Sequence, residues 1–183
     1  DGCHVAYLSH ELLPLAIVLN GEADLIGPMD PDAQFSVRPL AGLPMFAPGM
    51  SVAQAIIRAL RLSGDDLRDG DICVIAQKIV SKAEGRAIAL DDLPPGDEAS
   101  ELALRTGREP QMAQAILNES SAILRAHPAA IIARHHTGHV LANAGIDASN
   151  VEGGDNGTVL LWPVDPDASA RAIRAELHQE CPA

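Results

Sequence analysis

The run Asn143-Ala-Gly-Ile-Asp-Ala-Ser-Asn150 gathers one carboxylate, two carboxamides, a hydroxyl and a glycine within eight residues. Burying such groups without partners costs roughly 2–7 kcal/mol each, so they are poor core material. They suit a hard cation, or a ligand with many hydrogen-bonding atoms. Asp147 is the candidate ligand for Mg²⁺ or Mn²⁺, which take one or two carboxylates beside phosphate oxygens and water, with Asn143 or Asn150 touching the ligand beside it. The same residues would also make an Asx-rich turn whose side chains bond only the backbone.

A second group lies in Gln77-Lys-Ile-Val-Ser-Lys-Ala-Glu-Gly-Arg86. Lys78, Lys82 and Arg86 recur every four residues in a chain with only 13 Lys and Arg. The β-branched Ile79 and Val80 and the nearby Gly85 favour a strand and turn over a helix. Four-residue spacing keeps side chains on one face in either case. Such a stripe suits polyphosphate, Lys as a point charge and Arg as a fork. It would equally serve as a solvated face with Glu84 as counter-charge.

His135, His136 and His139 have the look of a transition-metal cluster, but neighbours on a strand point to opposite faces, so only two could converge. Surface or packing roles fit them better. Glu119-Ser-Ser121 reads as part of a helix face, and Cys73, in an apolar strand, as an inert core thiol.

The elements that must position these groups read as follows. Ala16–Leu19 is a possible strand, Gly27–Asp32 a turn or linker, Phe35–Leu40 a strand and Leu43–Gly49 a loop. Ser51 caps a helix carrying Val52, Ala55, Ile56, Ala59 and Leu60 at helical spacing, ended by Gly64 and the turn Asp65–Asp71. Ile72–Ala76 is a buried strand and Ala87–Leu90 another. Helices are predicted over Glu98–Thr106 and Pro110–Arg125, the second opened by its proline. Strands follow at Ala130–His135, His139–Ala142 and Thr158–Trp162, with a flexible loop at Gly153–Gly157. A last helix has Asp165 as its cap and Pro166 in its first turn. Strands and helices mix without a βαβ repeat, which predicts an α+β domain, a mixed sheet with flanking helices.

Bulk properties narrow the function. The 183 residues suffice for one good core. A net charge of -12 disfavours a general nucleic-acid binder, and 2% aromatics leaves little for base stacking. Three cysteines without a Cys-x-x-Cys spacing fit a reduced, cytoplasmic protein. The apolar run Leu12–Leu19 contains Pro14 and is too short to span a bilayer, and no signal peptide is evident. Asp1 without an initiator Met and the final Glu-Cys-Pro-Ala read as cut points.

Taken in order, Gly42-Leu-Pro44, Gly70-Asp71, the Gln77–Arg86 run, Glu119-Ser120, Asn143–Val151 and Asp165-Pro-Asp167 before Ser169-Ala170 resemble the coenzyme F420-0:L-glutamate ligases, or F420-0 gamma-glutamyl ligases. The resemblance covers about residues 36–177; residues 1–35 read as an N-terminal extension of uncertain character and 36–183 as an incomplete ligase-like domain. It implies a GTP-dependent, amide-forming enzyme of the family's α+β fold. The terminal carboxylate of F420-0 is activated as an acyl phosphate, and the amine of L-glutamate displaces the phosphate. It implies Mg²⁺ or Mn²⁺, a helpful K⁺ and a homodimer. Position by position, it implies that Leu43, Pro44, Met45 and Phe46 line the GTP site. Gln77, Lys78, Lys82 and Asn150 would contact the nucleotide, and Asp147 would ligate the metal. Family members also carry metal ligands in an Asp-Thr pair beyond the terminal helix, so residues 1–183 alone are expected to be nearly inactive. The competing expectations are a non-catalytic nucleotide- or metal-binding fragment, and the ligase part of a bifunctional ligase-reductase.

Overall fold

The computed structural model describes residues 4–8, 16–20, 36–148 and 157–180. Two compact units emerge, Asp1–Gly85 with Asp165–Ala183, and Arg86–Val164. The α+β expectation holds.

The first unit is built on a mixed sheet. Strands β1 (His4–Leu8), β2 (Ala16–Asn20), β3 (Ser36–Leu40) and β4 (Ile72–Ala76) stand in the order β1-β4-β2-β3. β1 runs parallel to β4, and β2 antiparallel to both β4 and β3. Helix α1 (Val52–Ser63) starts where Ser51 accepts a hydrogen bond from the Gln54 N–H and stops at left-handed Gly64, as its caps predict. Its apolar stripe, including the fully buried Ile56 and Ile57, packs with Cys73 and Ile75 of β4. Helix α5 (Pro166–Glu180) adds Ile173 and Leu177 to the same core. Asp165 caps α5 by accepting from the Ala168 N–H at 2.9 Å, and α5 ties back to α1 where Glu176 accepts from Ser51 and Gln54 at 2.9 Å each.

One expectation fails here. Gln77–Ala83 is a helix, α2, not a strand and turn. Ile79 and Val80 both enter the core beside β4, and that burial outweighs the modest helical penalty of branched side chains. Gln77 Nε2 donates to Ser81 Oγ at 2.6 Å, a contact between residues one helical turn apart.

The second unit holds two small antiparallel sheets: β5 (Ala87–Ala89) with β9 (Thr158–Leu160), and β6 (Ser120–His127), β7 (Ala130–His135) and β8 (Val140–Ala142) in sequence order. Helices α3 (Asp97–Thr106) and α4 (Pro110–Asn118) cover them around Ala99, Ala113, Ile116, Ile131 and Val159. The predicted helix Pro110–Arg125 is therefore too long. It ends at Asn118, and the chain turns into β6, whose backbone pairs with β7 across the turn at Pro128. Glu119 and Ser120 thus sit at a helix-to-strand junction rather than on a helix face. Among the described residues no helix is long and apolar enough to cross a membrane.

Candidate functional site

The candidate residues divide between the units. In the first, α2 places Lys78 and Lys82 one turn apart and half-buried, with Gln77 and Ser81 buried beside them. The loop before α1 is fastened to the end of this helix, Gly49 N–H donating to the Ala83 carbonyl at 2.8 Å. Within that loop Phe46 is buried in the core, Leu43 packs against it, and Pro44 and Met45 are exposed. Of the three-residue cationic stripe, α2 carries Lys78 and Lys82. Arg86 lies past the helix in the second unit, and Glu84 accepts from Ser169 Oγ at 2.5 Å.

In the second unit the run after β8 forms one tight, left-handed turn. Asn143, Ala144 and Gly145 have φ of 49°, 54° and 76°. Each non-glycine residue in this conformation costs about 1–2 kcal/mol, and consecutive ones are unusual. Packing holds the turn in place. Ala144 is fully buried, and the Trp162 ring lies so close over Gly145 that a Cβ there would stand 2.7 Å from Cε3. The turn delivers Asp147 to a bridge with β9, Asp147 N–H to the Leu160 carbonyl at 2.9 Å and Leu160 N–H to the Asp147 carbonyl at 2.8 Å. The backbone of Asp147 is thus structural, and the residue is half-buried. Asn150 lies outside the described residues, as does most of the loop expected at Gly153–Gly157.

Beside the turn is a polar chain that the sequence did not reveal as a unit. Arg86 donates through Nη2 to Glu119 Oε2 at 2.6 Å and through Nε to the Trp162 carbonyl at 3.0 Å. The same Glu119 oxygen lies 3.3 Å from His135 Nε2. His135 Nδ1 receives the Thr137 N–H at 3.1 Å and lies 2.9 Å from Thr137 Oγ1, which is 2.9 Å from His139 Nδ1. Because a backbone N–H points at Nδ1, the proton of the neutral ring belongs on Nε2, facing Glu119. His136 Nε2 meets the Asn118 carbonyl at 2.8 Å. The histidines are thus used as hydrogen-bonding groups. Among the described residues no three His, Cys, Asp or Glu side chains group to hold a metal.

Burial holds the His135 imidazole below the ordinary histidine range, against the opposing pull of the Glu119 carboxylate. Below about pH 6.5 the unfolded chain then binds a proton that the fold resists. This part of the stability is complete above the ordinary histidine pKa and is lost as pH falls through the depressed folded value. His135→Gln, which keeps a neutral donor towards Glu119, is expected to shrink the drop in urea midpoint between about pH 7.5 and 5.5. An unchanged drop would assign it to other groups.

The signals for this chain were Arg86, Glu119 and the histidines, each visible separately. Only the pairing of β6 with β7, which brings Ser120 opposite His135, unites them.

Comparison with known proteins adds the following. Residues 42–183 match the family described as F420-0:Gamma-glutamyl ligase. The chain is 47% identical over 138 residues to the coenzyme F420:L-glutamate ligase of Methanothermobacter thermautotrophicus, an alignment covering 75% of this chain and 54% of that protein. It is 39% identical over 141 residues to the protein of the same name from Archaeoglobus fulgidus, covering 77% and 53%. A third, from Methanopyrus kandleri, is 41% identical over 132 residues, covering 72% and 49%. The chain spans about half the length of the curated relatives it matches.

Proposed function

We infer function from one premise: this chain belongs to the F420-0:gamma-glutamyl ligase family. The complete protein to which it contributes is a ligase that joins L-glutamate to coenzyme F420-0 at the expense of GTP, as a cytoplasmic homodimer. The observation that carries the reading is the turn. A costly left-handed conformation, locked by Trp162, ends on a half-buried carboxylate within the stretch that matches the family.

In the proposed reaction a carboxylate oxygen of F420-0 attacks the γ-phosphorus of GTP, and the bond to the β-phosphate oxygen breaks to release GDP. The glutamate amine, having lost a proton, attacks the acyl carbon. The bond to the phosphate oxygen breaks, leaving an amide and inorganic phosphate. Phosphoryl transfer of this kind depends on positioning and charge compensation. Lys82 and Lys78 would supply positive charge to the phosphates, and Gln77 and the Leu43–Phe46 loop would hold the nucleotide, with Asn150 as a further contact. The buried Phe46 would act through its backbone.

Asp147 would offer one carboxylate, the kind of ligand a hard cation takes beside phosphate oxygens and water; the described residues group no three His, Cys, Asp or Glu side chains around it. When bound, Mg²⁺ or Mn²⁺ would neutralise phosphate charge, and K⁺ belongs to the same proposal. F420-0 labelled with ¹⁸O in its terminal carboxylate tests the route. One labelled oxygen is expected in the released phosphate, and unlabelled phosphate would rule out the acyl phosphate.

A further inference from the structure

Among the described residues of the second unit, three buried side-chain atoms lack a hydrogen-bond partner: Arg108 Nε, Asn143 Oδ1 and Trp162 Nε1. Buried polar atoms are nearly always paired, so each exception calls for an explanation. The last two belong to the same piece of structure. Asn143 opens the left-handed turn, and the Trp162 ring lies on Gly145 two residues later. Trp162 is only 9% exposed, and its main chain is fixed by Arg86. The pair is one neutral acceptor and one neutral donor.

That polarity selects among ligands. A phosphate is acceptor-only and would be repelled by Asn143 Oδ1. A nucleobase stacked on the indole is disfavoured too, because Gly145 lies against the ring and the His139 ring stands 6.3 Å away at a tilt. A zwitterionic amino acid matches both atoms, its ammonium donating to Asn143 and a carboxylate oxygen accepting from Trp162.

We propose that Asn143 Oδ1 and Trp162 Nε1 form a recognition subsite for the amino-acid substrate. The assignment of that substrate rests on the ligase reading above. Asn143→Gly removes the acceptor yet suits a φ of 49°, and Trp162→Phe keeps a ring over Gly145 while removing the N–H.

In the complete ligase each change is expected to raise the KM for L-glutamate roughly tenfold or more and to leave the KM for GTP unchanged. Asn143→Asp, which retains an acceptor, is expected to restore the glutamate KM. Unaltered glutamate KM values, or a shift confined to GTP, would overturn the subsite while leaving the ligase reading intact.

Trp162 is the single tryptophan of the chain, so its fluorescence gives a readout independent of turnover. L-glutamate added to the 183-residue chain, with and without Mg²⁺–GDP, is expected to change the emission, and the change is expected to weaken in Asn143→Gly. An emission that does not respond to glutamate, or responds equally in the variant, would also overturn the subsite. Binding by the chain together with absent turnover in the complete protein would instead sink the ligase reading alone.

Discussion

Asp147→Ala in the complete protein is expected to cut metal-dependent glutamate ligation on the order of 100-fold or more while leaving the fold intact. The asymmetry comes from how the position is used. Its main chain makes both hydrogen bonds of the bridge to Leu160, and alanine preserves them. What is lost is the one carboxylate that the turn presents. Excess Mn²⁺ should recover part of the activity if the loss is one of metal affinity. Steady-state rates across a metal titration, paired with a thermal melt, check both halves. A melt that collapses alongside activity would mean that the side chain is structural.

The second large effect falls on Gly145, and here stability carries it. Alanine at this position meets two penalties. A φ of 76° costs an L-residue about 1–2 kcal/mol. The new methyl would also stand 2.7 Å from Trp162 Cε3 and 3.1 Å from Leu141 Cδ1, overpacking that typically costs about 1–3 kcal/mol. Gly145→Ala is therefore expected to destabilise the protein by roughly 2–5 kcal/mol, read as a lowered urea midpoint at unchanged slope. Gly138→Ala is the control. Its φ is 90°, but nothing lies within 4 Å of the added methyl, so only the backbone penalty applies. Equal losses at the two glycines would show that the Trp162 contact does not constrain the turn.

Much of the fold was legible because its signals are local. Ser51 and Gly64 bracket α1, Asp165 and Pro166 open α5, and the apolar run of β4 is buried as read. The two misread segments were decided by partners distant in sequence or by burial. Ile79 and Val80 carry a strand-like signature, yet they are worth more in the α1–β4 core, and the helix follows. Residues 119–125 hold no Gly or Pro to stop a helix, yet pairing with β7 captures the chain from Ser120 on. The candidate site was legible as chemistry but not as shape. Asn143, Gly145 and Asp147 announce a turn, whereas nothing in the residue types signals a left-handed conformation at Ala144. That state exists because Trp162, seventeen positions on from Gly145, packs over the turn. The Arg86–Glu119–His135 chain was hidden for the same reason, its members being 16 to 33 residues apart in pairs.

On the proposed function, the turn ending on Asp147 belongs to the catalytic centre of a glutamate ligase. The most direct measurement is mass spectrometry of F420-0 incubated with GTP, Mg²⁺ or Mn²⁺, L-glutamate and the complete protein, run beside its Asp147→Ala variant. The account predicts a product one glutamyl residue heavier, formed with release of GDP, and almost none from the variant. Unmodified F420-0 from the wild-type protein, or equal product from both, would contradict it.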